Sequence, residues 1–131
     1  MISPVLCLAA AIFFEARGET IQGQIAVADV VLNRVASSRF PDTICEVVNQ
    51  PKQFSFTHDG LSDNIYKYER DLLSATIAVN VAKSVIIHPV NRLGITSTHY
   101  HADYVSPDWS TSPAMVYDLT IGKHIFYTEG Y

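Results

Sequence analysis

The chain has 131 residues, one domain's worth, with 48% hydrophobic and 17% charged residues, a balance that excludes a disordered chain and permits a core without staples. Its formal net charge is −4, with acids and bases interspersed, so nothing in the charge pattern points to nucleic acid or to an anionic surface. Two cysteines, Cys7 and Cys45, are too few for a disulfide framework; Cys7 reads as a small buried hydrophobe, and a bridge to Cys45 is the open alternative.

Ser3-Pro4 reads as an N-cap followed by proline at the first helical position, and from Val5 to Phe14 the only polar side chain is Cys7. A helix that is apolar all round belongs at the centre of a domain. Met1-Ile2-Ser3 has no basic residue and Ala9-Ala10-Ala11 leads into more apolar residues, so the stretch is expected to be core and not a signal peptide. It is also shorter than the roughly 20 residues a membrane span needs, so no membrane insertion is expected. Gly18 is expected to close this helix in the left-handed conformation, which leaves Glu15 in the last turn beside Phe13 and Phe14. Burial and the negative end of the helix dipole both disfavour a carboxylate anion there. Glu15 can therefore hold a proton at neutral pH and donate it; the plain alternative is an ion pair with Arg17 or Arg34, or a place in water.

Thr20 caps a second predicted helix that runs from Ile21 to about Val35. Ile25, Ala28, Leu32 and Val35 share one side, widened by Val27 and Val31, while Gln22, Asp29 and Asn33 share a polar face expected in solvent or along a cleft. Arg39-Phe40-Pro41-Asp42 breaks the pattern, Thr43 to Val48 suits a short helix, and Asn49-Gln50-Pro51 closes it. Gln53-Phe54-Ser55-Phe56-Thr57-His58-Asp59-Gly60 reads as a loop whose aromatic, amide and hydroxyl groups suit a ligand, or whose phenylalanines staple it to the core. A further helix is expected from Glu69 to Ile87, with Leu72, Ala75, Val79, Ala82 and Ile86 as its apolar stripe, ended by His88-Pro89.

From Arg92 onward the chain is rich in Thr, Ser, Tyr and β-branched residues, with turn signals at Ser106-Pro107-Asp108, Ser112-Pro113 and Ile121-Gly122. Thr96 to Ala102 and Lys123 to Thr128 read as short strands that pair. In the first, His99 and His101 share one face and Thr98 and Tyr100 the other. The outline is α+β, a helical body carrying a small sheet, with residues 1–131 as a single domain.

Two constellations carry chemistry. The first is Glu15 with Gln53, Phe54, Ser55, Tyr100, Trp109 and Tyr127, an acid among the aromatic, amide and hydroxyl groups that a sugar site needs. One acid suffices if the substrate supplies its own nucleophile, whereas hydrolysis would want a second carboxylate from Glu19, Asp29, Asp103 or Asp108. The second is His99-Tyr100-His101-Ala102-Asp103 with His124, whose spacing permits zinc and amide hydrolysis, although His-x-His also arises as ordinary sheet polarity.

Glu15-Ala16-Arg17-Gly18-Glu19, Gly23-Gln24-Ile25-Ala26-Val27-Ala28 and Val31-Leu32-Asn33-Arg34-Val35 together resemble the opening of the SleB-like cell-wall hydrolase family. Ile44-Cys45-Glu46-Val47-Val48, Gln50-Pro51, Gln53-Phe54-Ser55-Phe56, Thr98-His99-Tyr100-His101-Ala102 and Ile121-Gly122-Lys123-His124-Ile125-Phe126-Tyr127 resemble its later blocks in the same order. The resemblance implies a lysozyme-like domain, similar to goose-type lysozymes and lytic transglycosylases, acting on peptidoglycan glycan strands. The family's catalytic glutamate lands on Glu15. Substrate-facing residues would include Gln53, Phe54, Ser55, Thr98, His99, Tyr100, His101, Trp109, His124 and Tyr127, with the histidines as substrate-facing or structural groups, and no metal or other cofactor. The chain departs from the family pattern between His88 and Thr96, where Gly94 stands in place of a glycine-rich turn. The expectation is a monomer without an export signal, made in a host cytoplasm and acting at the wall, as a phage endolysin would; a muramidase-type hydrolase and a zinc amidase are the alternatives.

Overall fold

The computed structural model describes residues 3–50 and 71–130. Gln53, Phe54 and Ser55 lie outside the described residues. Along the chain come helices α1 (Pro4–Ala16), α2 (Ile21–Val35), α3 (Ile44–Val48) and α4 (Leu72–Ile87), then strands β1 (His99–Ala102), β2 (Met115–Ile121) and β3 (His124–Glu129). The class is α+β, as the sequence suggests.

Helix α1 starts where Ser3 Oγ accepts the Leu6 N–H at 3.2 Å and Pro4 occupies the first turn. Cys7 to Phe13 are all buried, and α2, α3 and α4 pack around them in one apolar cluster. Removing the large side chains among them, Leu8, Ile12 and Phe13, from water contributes about 1.5–3 kcal/mol each. Gly18 does not take the left-handed conformation expected of it. Arg17 keeps helical backbone angles and the Glu19 N–H donates to the Ala16 carbonyl at 2.9 Å, so a tight turn ends α1 without a positive φ.

Helix α2 begins at the Thr20 cap, whose Oγ1 accepts the Gly23 N–H at 3.1 Å. It is buried on two sides: Ala28 and Val31 face the helical cluster, while Ala26, Val27 and Val30 join Ala16 and Phe126 in a second cluster beneath the sheet. Of its polar face only Gln22 is in solvent, while Asp29 and Asn33 turn inward and anchor the segment that leads into β1. Asp29 is fully buried and accepts from Arg92 Nε at 3.0 Å and from the Leu93 N–H at 2.9 Å. Asn33 Nδ2 donates to the Ile95 and Ser97 carbonyls at 2.9 and 2.8 Å. Gly94, at φ +74°, turns the chain between these anchors. One glycine thus serves where a glycine-rich turn was expected, because α2 side chains fix both of its flanks.

In α4 the buried face is Ala75, Ala78, Val81, Ala82 and Val85; Leu72 is half exposed, so the stripe is rotated from the expected one. Cys7 and Cys45 form a disulfide with Cα atoms 5.3 Å apart, joining α1 to the start of α3; Cys7 is buried as expected but bonded. The strands form one antiparallel sheet in the order β1-β3-β2, with Tyr100 opposite Phe126 and His99 opposite Tyr127. Strand β2 was not foreseen. An irregularity between Tyr117 and Leu119 carries Asp118 out of register, where it accepts from Ser97 Oγ at 2.5 Å; in sequence, Tyr117, Leu119 and Ile121 still alternate with Asp118 and Thr120 at the period of a strand. Among the described residues no helix is long and apolar enough to cross a membrane.

Candidate active site

Glu15 sits in the last turn of α1, where the helix leaves the core and meets the sheet. Its neighbours Phe13 and Phe14 pack edge to face at 5.0 Å, and burial raises its carboxyl above the ordinary 4.5. The opposing effect is the Tyr100 hydroxyl, which donates to Glu15 Oε1 at 2.8 Å and favours the anion. Burial wins, so the carboxyl is biased towards its protonated form.

Tyr100 reaches Glu15 because strand alternation turns it, with Phe126 and His124, towards the helices. Burial and the Glu15 carboxylate both push its hydroxyl well above the ordinary 10, so it remains a donor at any working pH. Beneath it Arg34 is buried and holds the Thr98 carbonyl through Nε at 2.7 Å, which fixes the start of β1 against α2.

A cleft of about 250 Å³ opens beside Glu15, walled by Phe14, Arg17, Glu19, Tyr104, Lys123 and His124. Arg17 is engaged elsewhere, paired with Asp71 at 3.0 Å and lying over the Phe13 ring. Glu19 Oε1 accepts the Lys123 backbone N–H at 2.9 Å and lies 3.6 Å from His124 Nδ1. Burial lowers the His124 imidazole below its ordinary 6.5, so near neutrality it is uncharged.

The residues expected around Glu15 divide between the two faces of the sheet. Tyr100 bonds Glu15 from behind the cleft, and His124 lines it. His99, His101, Trp109 and Tyr127 instead form an aromatic cluster on the opposite face: Trp109 lies 5.2 Å from His99, 5.6 Å from His101 and 5.4 Å from Tyr127, and His101 stacks on Tyr127. His101 Nε2 meets the Tyr127 hydroxyl at 2.9 Å. Thr98 lines a separate groove of about 220 Å³ with Arg39, Phe40 and Thr128. Gln53, Phe54 and Ser55 lie outside the described residues.

Among the described residues no three His, Cys, Asp or Glu side chains converge in a way that could hold a metal ion. His99 and His101 face away from His124, which separates the three histidines of the zinc alternative. Of the four acids considered as partners for Glu15, only Glu19 lines its cleft. Asp29 is bound to Arg92, and Asp103 and Asp108 are exposed beyond β1. Lys123 and Tyr104 are cleft residues that the sequence reading did not single out; the Ile121-Gly122 turn signal marked the place where Lys123 would project.

The sequence pattern of the family described as Cell Wall Hydrolase matches residues 18–127. The spore cortex-lytic enzymes of Bacillus cereus and Bacillus subtilis are each 34% identical to this chain over 122 residues, which are 91% of it and 42% and 35% of theirs. The chain thus spans about two-fifths of the length of these curated relatives. The catalytic domain of the germination-specific lytic transglycosylase SleB from Bacillus anthracis superposes with a TM-score of 0.77 at 29% identity, covering 95% of this chain and 93% of that one. The catalytic domain of Bacillus cereus SleB gives 0.69 at 28% identity, covering 95% and 89%.

Proposed function

This chain belongs to the cell wall hydrolase family, and from that premise we propose that it cleaves peptidoglycan glycan strands as a lytic transglycosylase, with Glu15 as acid and then as base. The observation that carries the reading is a buried carboxyl at the end of α1, held by the Tyr100 hydroxyl and open to a cleft. A glycosidic bond yields when its leaving oxygen is protonated, and a carboxyl whose pKa is raised by burial is suited to that step.

Glu15 gives its proton to the oxygen between N-acetylmuramic acid and N-acetylglucosamine as the bond from the anomeric carbon to that oxygen breaks. The muramic acid 6-hydroxyl then attacks its own anomeric carbon, and its proton passes to Glu15. The product is a 1,6-anhydro sugar and the carboxyl is protonated again. Through the intermediate stage the Tyr100 O–H stabilises the Glu15 carboxylate. If water replaced the 6-hydroxyl, the same acid would perform hydrolysis. An endolysin role at the wall belongs to the same proposal, and the Cys7–Cys45 bridge supports a site of action outside a reducing cytoplasm.

The test is mass spectrometry of the soluble products from purified peptidoglycan. Wild type is expected to release anhydro-muropeptides and Glu15→Gln none. Reducing-end muropeptides would replace transglycosylation with hydrolysis, and stem peptides whose release stops with a chelator would move the chemistry to the histidines.

A further inference from the structure

Glu19 is held with unusual completeness for a residue in a turn between helices. Its N–H donates to the Ala16 carbonyl at 2.9 Å and its own carbonyl accepts from Gln24 Nε2 at 3.3 Å. Its carboxylate bridges to the tip of the β2–β3 hairpin through the Lys123 N–H at 2.9 Å. That tip is shaped around it: Gly122 has φ +56°, and a Cβ there would stand 2.7 Å from Glu19 Oε1. Any other residue at 122 would collide with the carboxylate as well as strain the turn.

The second observation is His124. Its side chain is 9% exposed, and its Nδ1 is buried without a hydrogen-bond partner, 3.6 Å from Glu19 Oε1 on the same cleft wall. An orphaned buried polar atom is costly, and here it lies 3.6 Å from a carboxylate already held by the Lys123 N–H. Backbone N–H, glycine tip and imidazole thus converge on one acid, in the cleft that Glu15 opens into.

The geometry points to Glu19 as a second catalytic carboxylate, an anion that stabilises the positive charge developing at the anomeric carbon. The inference rests on the glycan-strand reading above. As Glu15 donates its proton and the bond to the leaving oxygen breaks, that oxygen keeps the electron pair and the sugar ring carries positive charge until the 6-hydroxyl closes on it. The 6-hydroxyl proton passes to Glu15; Glu19 gains and loses nothing. A charge already fixed in the cleft needs no reorganisation at the moment of reaction, so its position carries the effect.

The competing role is a clamp that ties the hairpin to the α1–α2 turn, and charge separates the two. Glu19→Gln keeps an oxygen for the Lys123 N–H and loses the charge, whereas Glu19→Asp keeps the charge on a shorter arm and gives up the clamp. Turnover of purified glycan strands, corrected for folded fraction by thermal melting, is expected to fall at least about tenfold in kcat for Glu19→Gln, with KM within about twofold. Glu19→Asp should retain more activity than Glu19→Gln. A Glu19→Gln enzyme at wild-type kcat, or one at least as active as Glu19→Asp, overturns the inference while leaving the Glu15 reading intact. A wild-type chain that releases no glycan product overturns that reading, and this inference with it.

Discussion

Two glutamates four residues apart receive opposite treatment from their surroundings. Glu15 is drawn into apolar packing at the negative end of α1, and Glu19 is met by a backbone N–H and an imidazole. Between Glu15 and the sheet stands the Tyr100 hydroxyl, whose effect on the reaction has a definite sign. It lowers the Glu15 pKa against the larger rise from burial, so Tyr100→Phe should raise that pKa further and shift the alkaline limb of the pH–rate profile upward. The same change removes a bond to the anion formed in mid-reaction. Hydrogen bonds to charged groups are worth about 1.5–3 kcal/mol, so the maximal rate should fall about tenfold or more. A profile of glycan cleavage rate against pH reads both effects at once. A limb that moves down instead would mean that the hydroxyl is not donating to Glu15 in the working enzyme.

At the scale of elements, the structure places β1, the strand that carries Tyr100, by way of α2. Arg92 donates from Nε to Asp29 Oδ1 at 3.0 Å and from an Nη to Asn33 Oδ1 at 2.5 Å, so one guanidinium ties the approach to β1 onto two turns of helix. Arg92→Ala would leave Asp29 fully buried without its cation, a loss of about 3 kcal/mol, at the low end for buried pairs because Arg92 keeps a quarter of its side chain in water. Urea unfolding at neutral pH measures it, and a midpoint equal to wild type would refute it. Helices α1 and α2 were legible in sequence because caps and apolar runs are local: Ser3-Pro4 and Thr20 fall at the observed starts. Gln22 is exposed as expected, but the inward role of Asp29 and Asn33 could not be read because their partners, Arg92 to Ser97, are about 60 residues away. Strand β2 carries a local signal of its own, the alternation Tyr117-Asp118-Leu119-Thr120-Ile121, which the sequence reading passed over. In the site, Glu15 could be read from the end of one helix, while the split of the histidines and Trp109 to the far face depends on how the sheet packs on α2.

For the whole molecule, the helical body depends on a link that crosses its first 45 residues. Cys7 lies deep in α1 and Cys45 at the start of α3, a sequence separation of 38. Closing a loop of that length removes conformational freedom from the unfolded chain, and the chain-entropy relation gives about 4 kcal/mol of stabilisation. Helix α3 has only five residues, too few to hold itself in place by its own hydrogen bonds, so the bridge and the burial of Val47 and Val48 fix it against α1. Because α1 also carries Glu15, loss of the bridge loosens the scaffold behind the acid without touching the cleft. Reduction, or Cys45→Ser, should therefore lower the unfolding midpoint strongly while leaving kcat of the folded fraction close to wild type. Urea titrations with and without reductant, paired with an activity assay well below the midpoint, test both halves. An unchanged midpoint under full reduction would show that the apolar cluster alone holds α3, and a collapsed kcat at low urea would show that the bridge positions Glu15 directly.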